Sequence, residues 1–126
     1  MFKLTSRSIE NLTGVHEDLI KVVKYAITIS EVEFIVTEGV RGRAKQLALV
    51  TAGASRTVNS RHLTGHAVDL AAVINSEVRW DWPLYHKIYD AMNTAAIKIN
   101  VPLEWGGNWK KFKDGPHYQL PRKIYP

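Results

Sequence analysis

The sequence predicts an α+β protein in which a small, mainly antiparallel sheet packs against helices. Long apolar stripes at helical spacing, separate runs rich in β-branched residues, and the lack of a repeated strand-helix-strand unit all favour that class over a doubly wound fold. The predicted order is helix, strand, short helix, strand, long helix and strands.

Val15, Leu19, Val22, Val23, Ala26 and Ile27 recur at helical spacing and predict a helix over residues 13–29. Thr13 is its expected cap, and Glu17 and Asp18 suit the positive end of the helix dipole. A short helix over residues 6–12 precedes it. Residues 31–37, Glu-Val-Glu-Phe-Ile-Val-Thr, read as a strand leading to Gly39, Arg41 and Gly42. A short helix over residues 44–51 follows, then a polar loop through Gly53, Ser55, Asn59 and Ser60. The apolar run over residues 67–74 reads as a nearly buried strand, and residues 75–81 as a connection. Asp81 is expected to cap a long helix opening at Trp82-Pro83, because a first-turn proline forfeits no helical hydrogen bond. Leu84, Ile88, Ala91, Met92, Ala95 and Ile99 supply its stripe, and Pro102 is expected to end it. Strands near residues 103–105 and 117–120 complete the chain. His16 and His86 fall on helices as surface or packing residues.

At 126 residues and 45% hydrophobic content, the chain reads as one domain, residues 1–126, with one core. It contains no cysteine, so any metal must be held by His, Asp or Glu. Seventeen basic and twelve acidic side chains give a net charge of +5. That charge is spread along the chain, with clusters only at Lys110, Lys111 and Lys113 and at Arg122 and Lys123, and it forms no basic arm or helix. Nucleic-acid binding is therefore not expected. No apolar run spans a membrane, and the first residues lack the pattern of a signal peptide.

Residues 60–70 concentrate His62, His66 and Asp69 at a loop-to-strand junction, and Asp114-Gly115-Pro116-His117-Tyr118 lies near the other end. Brought together on adjacent strands, these groups can surround one metal and leave a fourth position for water. Spacing alone leaves open which histidine binds. His62 and His66 are four apart, but Leu63 stands where a helical zinc motif needs Glu, and Gly65 disfavours a continuous helix. In a loop leading to a strand, His62 and Asp69 can converge, leaving His66 to face substrate, support a ligand or pack. Asp69 amid Val68, Leu70, Ala71 and Ala72 needs a partner if buried. Asp114 also suits a turn beside Gly115 and Pro116, and Arg41 also suits an exposed surface.

The stretch Ser60-Arg61-His62-Leu63-Thr64-Gly65-His66-Ala67-Val68-Asp69 resembles the Ser-x-His-x-x-Gly-x-Ala-x-Asp pattern of the D-alanyl-D-alanine carboxypeptidase and L-alanyl-D-glutamate peptidase superfamily, in particular compact bacteriophage endolysins. Trp105-Gly106-Gly107-Asn108-Trp109 and Asp114-Gly115-Pro116-His117-Tyr118 resemble its second half-site, and Gly39-Val40-Arg41 with Gln46 its arginine-bearing loop. The resemblance runs over residues 12–120. It implies the hedgehog/D-Ala-D-Ala peptidase-like fold and one catalytic zinc ion on His62, Asp69 and His117. Asp114 would be the catalytic carboxylate, where many relatives carry Glu, and Arg41 a stabilising cation. Ser60, Thr64 and His66 are expected either to contact substrate or to make local turn hydrogen bonds. Trp105 and Trp109 are expected to wall the cleft, and Tyr118 to point away from the metal.

The endolysin resemblance favours hydrolysis of the L-alanyl-D-glutamate bond of peptidoglycan stem peptides. D-alanyl-D-alanine carboxypeptidase or dipeptidase activity is the alternative within the superfamily, and a noncatalytic peptidoglycan-binding module the alternative outside enzymes. It also implies synthesis in the host cytoplasm, release to the periplasm and cell wall by a separate holin-like protein, and action as a monomer.

Overall fold

The computed structural model describes residues 1–53 and 60–126; Ser55 and Asn59 of the expected polar loop lie outside the described residues. Chain order is α1 (Ser6–Asn11), α2 (Glu17–Ile29), β1 (Glu33–Glu38), α3 (Arg43–Thr51), a 3-10 turn (Arg61–Thr64), β2 (Ala67–Ile74), β3 (Glu77–Arg79), α4 (Trp82–Ile99), β4 (Glu104–Trp105), a second 3-10 turn (Gly106–Asn108) and β5 (His117–Gln119). The expected α+β architecture is present. Five strands form one antiparallel sheet in the order β1-β2-β5-β4, and β3 pairs with the far end of β2.

Alternation along β2 divides the sheet into two faces. Val68, Leu70 and Ala72 join Phe34, Val36 and Tyr118 in a buried cluster with Leu19, Val22, Val23 and Ala26 of α2 and Ile88, Met92 and Ala95 of α4. Both helices place an apolar stripe on this face. Asp69 points to the other face, flanked along the strand by the small buried residues Ala67 and Ala71. Helix packing thus secures the strand while leaving the carboxylate on the opposite side.

Several boundaries differ from those expected. The α2 cap is His16, not Thr13: its Nδ1 accepts the Asp18 N–H at 3.0 Å. The helix is delayed because Gly14 takes φ +84°, reversing the chain so that Val15 enters the core ahead of the first turn. Residues 77–79 form a strand where only a connection was expected; Asn75 and Ser76 adopt positive φ and turn the chain back so that Val78 pairs with Val73. Asp81 occupies the α4 cap position but makes no capping hydrogen bond, because its carboxylate takes Arg79 at 2.5 Å. α4 ends at Ile99, capped by Asn100 ahead of Pro102. Asn100 adopts φ +59°, and the Val101 N–H returns to the Ala96 carbonyl at 2.9 Å. No described helix is long and apolar enough to cross a membrane.

Candidate metal centre

The site begins with the registry of three strands. Asp69 pairs with His117 of β5 on one side and with Glu38 of β1 on the other. Pairs directly opposite in a sheet share a face, so all three side chains project together. Glu38 reaches that position through a bulge: the register runs Val36–Leu70 and then Glu38–Asp69, leaving Thr37 as the extra residue.

His62 arrives from the 3-10 turn. The Ser60 hydroxyl caps that turn by accepting the His62 N–H at 3.2 Å, and Gly65 closes it at φ +78°. A Cβ at Gly65 would lie 2.4 Å from the Gly14 carbonyl oxygen, so glycine is required for both conformation and space. The Arg41 N–H donates to the His62 carbonyl at 3.0 Å, tying this turn to the loop after β1.

His62 Nε2 lies 3.2 Å from Asp69 Oδ1, and His117 Nδ1 lies 3.3 Å from the same oxygen. The three donor atoms fall within 4.8 Å of one another and form the only such cluster among the described residues. The other nitrogen of each ring is already engaged. His62 Nδ1 is 2.8 Å from the Gly39 carbonyl, which can only accept, so Nδ1 carries the proton and Nε2 presents a lone pair. His117 Nε2 donates likewise to Gln119 Oε1 at 2.8 Å, leaving the Nδ1 lone pair aimed at Asp69. Two nitrogen lone pairs and a carboxylate that face one another require a cation or proton between them.

These separations suit a small divalent ion: nitrogen and oxygen ligands about 2.0–2.2 Å from a tetrahedral centre lie roughly 3.3–3.6 Å apart. His62, Asp69 and His117 therefore fit a metal in position, number and tautomer. In the metal-free protein a proton can fill that place: burial opposes ionisation of Asp69, yet hydrogen bonding from His117 and His62 outweighs it and holds the carboxyl well below the usual range. Burial likewise disfavours a charged His117, but Asp69 beside it prevails and raises its pKa.

Arg41 lies at the edge of this cluster, with NH2 3.7 Å from Asp69 Oδ2. Its Nε donates to Glu38 Oε1 at 2.8 Å, and its NH1 to Gln46 Oε1 at 2.6 Å. Lys45 pairs with the second Glu38 oxygen. Burial would raise the Glu38 pKa, but Arg41 and Lys45 more than offset this and keep it ionised. Asp114 is also close enough to interact electrostatically with the cluster. Burial and the neighbouring Asp69 charge raise its pKa, and the positive groups His117, His62 and Arg41 only partly oppose them. Its position is set by its backbone: the Asp114 N–H donates to the Gly106 carbonyl at 2.9 Å, and its carbonyl accepts the His117 N–H at 3.2 Å. A Cβ at Gly106 would come within 2.4 Å of the Asp114 carbonyl oxygen, so this approach depends on glycine.

The structure brings His62, Asp69 and His117 together, with Arg41 and Asp114 beside them. Ser60, Thr64 and His66 make local hydrogen bonds. Thr64 Oγ1 donates to the Arg61 carbonyl at 3.2 Å and lies 2.7 Å from His66 Nδ1, while the His66 ring lies 5.7 Å from that of His16. Trp109 lies beside a metal-site histidine, its ring centroid 5.1 Å from that of His117. Trp105 is buried behind the site, and its Nε1 donates to the Gly115 carbonyl at 2.7 Å. Tyr118 lies in the core.

Sequence reasoning missed Glu38, Gln119 and the Gly39 carbonyl. Gln119 carried a usable signal, since a residue two beyond His117 on a strand shares its face. Glu38 did not, because its orientation depends on the Thr37 bulge.

Comparison with known proteins agrees with this architecture. The solved Serratia marcescens L-Ala D-Glu endopeptidase ChiX matches with a TM-score of 0.94 and 49% identity, covering 99% of this chain and 94% of that one. The fold is therefore that of the D-alanyl-D-alanine peptidase-like class, with helices backing a small antiparallel sheet. The family model described as phage L-alanyl-D-glutamate peptidase matches residues 1–123, and the chain belongs to that family. An L-alanyl-D-glutamate peptidase of Listeria phage A118 is 32% identical over 123 residues, spanning 95% of this chain and 43% of that protein. One of Escherichia phage T5 is 28% identical over 128 residues, spanning 98% and 93%. The chain thus spans less than half of the Listeria phage protein and nearly all of the T5 protein.

Proposed function

We propose that this protein is a zinc-dependent peptidase that hydrolyses the L-alanyl-D-glutamate bond of peptidoglycan stem peptides. The observation that carries the reading is the convergence of His62 Nε2, Asp69 Oδ1 and His117 Nδ1, with both outer imidazole nitrogens already hydrogen-bonded. Imidazole and carboxylate donors are compatible with zinc, and three protein ligands leave a position open, as in catalytic rather than structural sites. The names of the relatives in the phages and in Serratia supply the bond.

Bound zinc supplies Lewis acidity, polarising a carbonyl and making water a better nucleophile at neutral pH. The chain's own residues do the rest. Gly39 and Gln119 hold His62 and His117 in the ligating tautomers. Asp114 takes the proton of the attacking water on a carboxylate oxygen and returns it to the leaving amine. Its raised pKa suits this double role, since a group that must both accept and donate works best near the operating pH. Arg41 spends N–H groups on Glu38 and Gln46 and so contributes chiefly through its positive field, which opposes the negative charge developing on the substrate oxygen. Trp109 limits access of solvent beside His117.

Mass spectrometry of purified muropeptides, incubated with zinc-loaded protein and with a chelated control, tests the reading. Zinc-dependent separation of L-alanine from D-glutamate is expected. Release of terminal D-alanine instead would establish the carboxypeptidase alternative, and absence of any metal-dependent cleavage would refute the enzymatic assignment.

A further inference from the structure

The loop over residues 109–114 is pinched at its base. The Trp109 and Asp114 N–H groups both donate to the Gly106 carbonyl, at 3.2 and 2.9 Å. Both ends are also fastened to the metal centre, Trp109 through its ring against His117 and Asp114 through its carbonyl to the His117 N–H. Four residues project between these anchors, and three of them are Lys110, Lys111 and Lys113. All three are exposed, and among the described residues none forms an ion pair or side-chain hydrogen bond. The other lysine beside the centre, Lys45, is neutralised by Glu38.

We propose that Lys110, Lys111 and Lys113 form a carboxylate-recognising rim that selects acidic peptides, those with free side-chain or terminal carboxylates near the cleaved bond, over their amidated counterparts. This rests on the peptidase reading above and deepens it by naming the substrate class. Unpaired ammonium groups attract carboxylates over roughly one Debye length, about 8 Å at physiological salt. Because the loop is fastened at both ends, to Gly106 and His117, its lysines are held beside the metal centre. Such exposed charges act on substrate capture rather than on the bond-breaking step, so their removal should appear in KM.

The test compares the full chain with the triple variant Lys110→Gln, Lys111→Gln, Lys113→Gln. The probes are a stem peptide with free carboxylates and the same peptide with those groups as carboxamides. For three weakened exposed pairs, KM for the acidic peptide should rise about three- to tenfold at low salt, with kcat unchanged. The variant should lose the preference for acid over amide, and its KM should respond less to added salt. Calorimetric binding of both peptides to the metal-free proteins reads the same preference without turnover. If the wild type cleaves neither peptide but still binds the acidic one more tightly through these lysines, the rim stands and the peptidase reading falls. Equal affinity of the wild type for both peptides, or a triple variant with unchanged KM and preference, would overturn the rim. So would a variant that loses only its retention on DNA-cellulose, since that would mark the lysines as a nonspecific polyanion surface.

Discussion

Replacing Gln119 separates the hydrogen bond behind His117 from the metal ligands themselves. Gln119 Oε1 accepts His117 Nε2–H at 2.8 Å and thereby keeps the proton off Nδ1, the atom facing Asp69. Without this acceptor the ring can take the other tautomer, which places a proton where a metal must bind. Losing an outer partner of a ligating histidine typically costs about 10- to 100-fold in metal affinity, or roughly 1.4–2.7 kcal/mol. The structure orders the substitutions within that range. Gln119→Ala admits water to replace the lost acceptor, because Gln119 is only partly buried, so about tenfold is expected. Gln119→Leu covers a ring that is only 5% exposed and leaves Nε2–H without an acceptor, which moves the loss toward about 100-fold. Gln119→Glu offers a stronger acceptor of similar length and should tighten retention. Competition against a chromophoric zinc chelator measures each affinity, and melting of the metal-free variants checks that the fold survives. A Leu variant within twofold of wild type, or a Glu variant weaker than the Leu variant, would refute this account of the tautomer.

Asp114→Asn should lower kcat while zinc retention stays within a fewfold of wild type, as chelator competition and steady-state rates will show. In the metal-free folded protein, burial and the neighbouring Asp69 charge raise the Asp114 pKa above its ordinary value. The same shift means that the unfolded chain releases this proton first. Asp114's contribution to the stability of the metal-free protein should therefore fall as pH rises from the unfolded toward the folded pKa, and Asp114→Asn, which removes that contribution, should raise the neutral-pH melting temperature. Gly106→Ala should reduce both turnover and stability, since its Cβ would meet the Asp114 carbonyl oxygen at 2.4 Å. A cost of about 1–3 kcal/mol is expected from such overpacking, measurable by denaturant titration.

Short-range patterns in the sequence carried much of the fold. The apolar run at residues 67–74 matches β2, and Trp82-Pro83 with the stripe from Leu84 to Ile99 matches the body of α4, because strand and helix periods are expressed within a few residues. The candidate ligands were also legible, since His62, Asp69 and His117 stand in two short motifs whose order matches the family pattern. The absence of cysteine had already confined any metal to imidazole and carboxylate donors.

Spacing alone could not choose between His62 and His66. The tertiary structure separates them: the turn closed by Gly65 sends His62 toward Asp69, while His66 turns to Thr64 and His16. The pairing of Asp69 with His117 joins residues 48 positions apart by sheet register, as does the bulge that sets Glu38 beside them. The His62 and His117 tautomers follow from Gly39 and Gln119, partners identified only once the chain is folded. Local periodicity is written in neighbouring residues and can be read from them. Register, close backbone approach and the location of a proton on a ring depend on contacts between distant segments, and those exist only in the folded molecule.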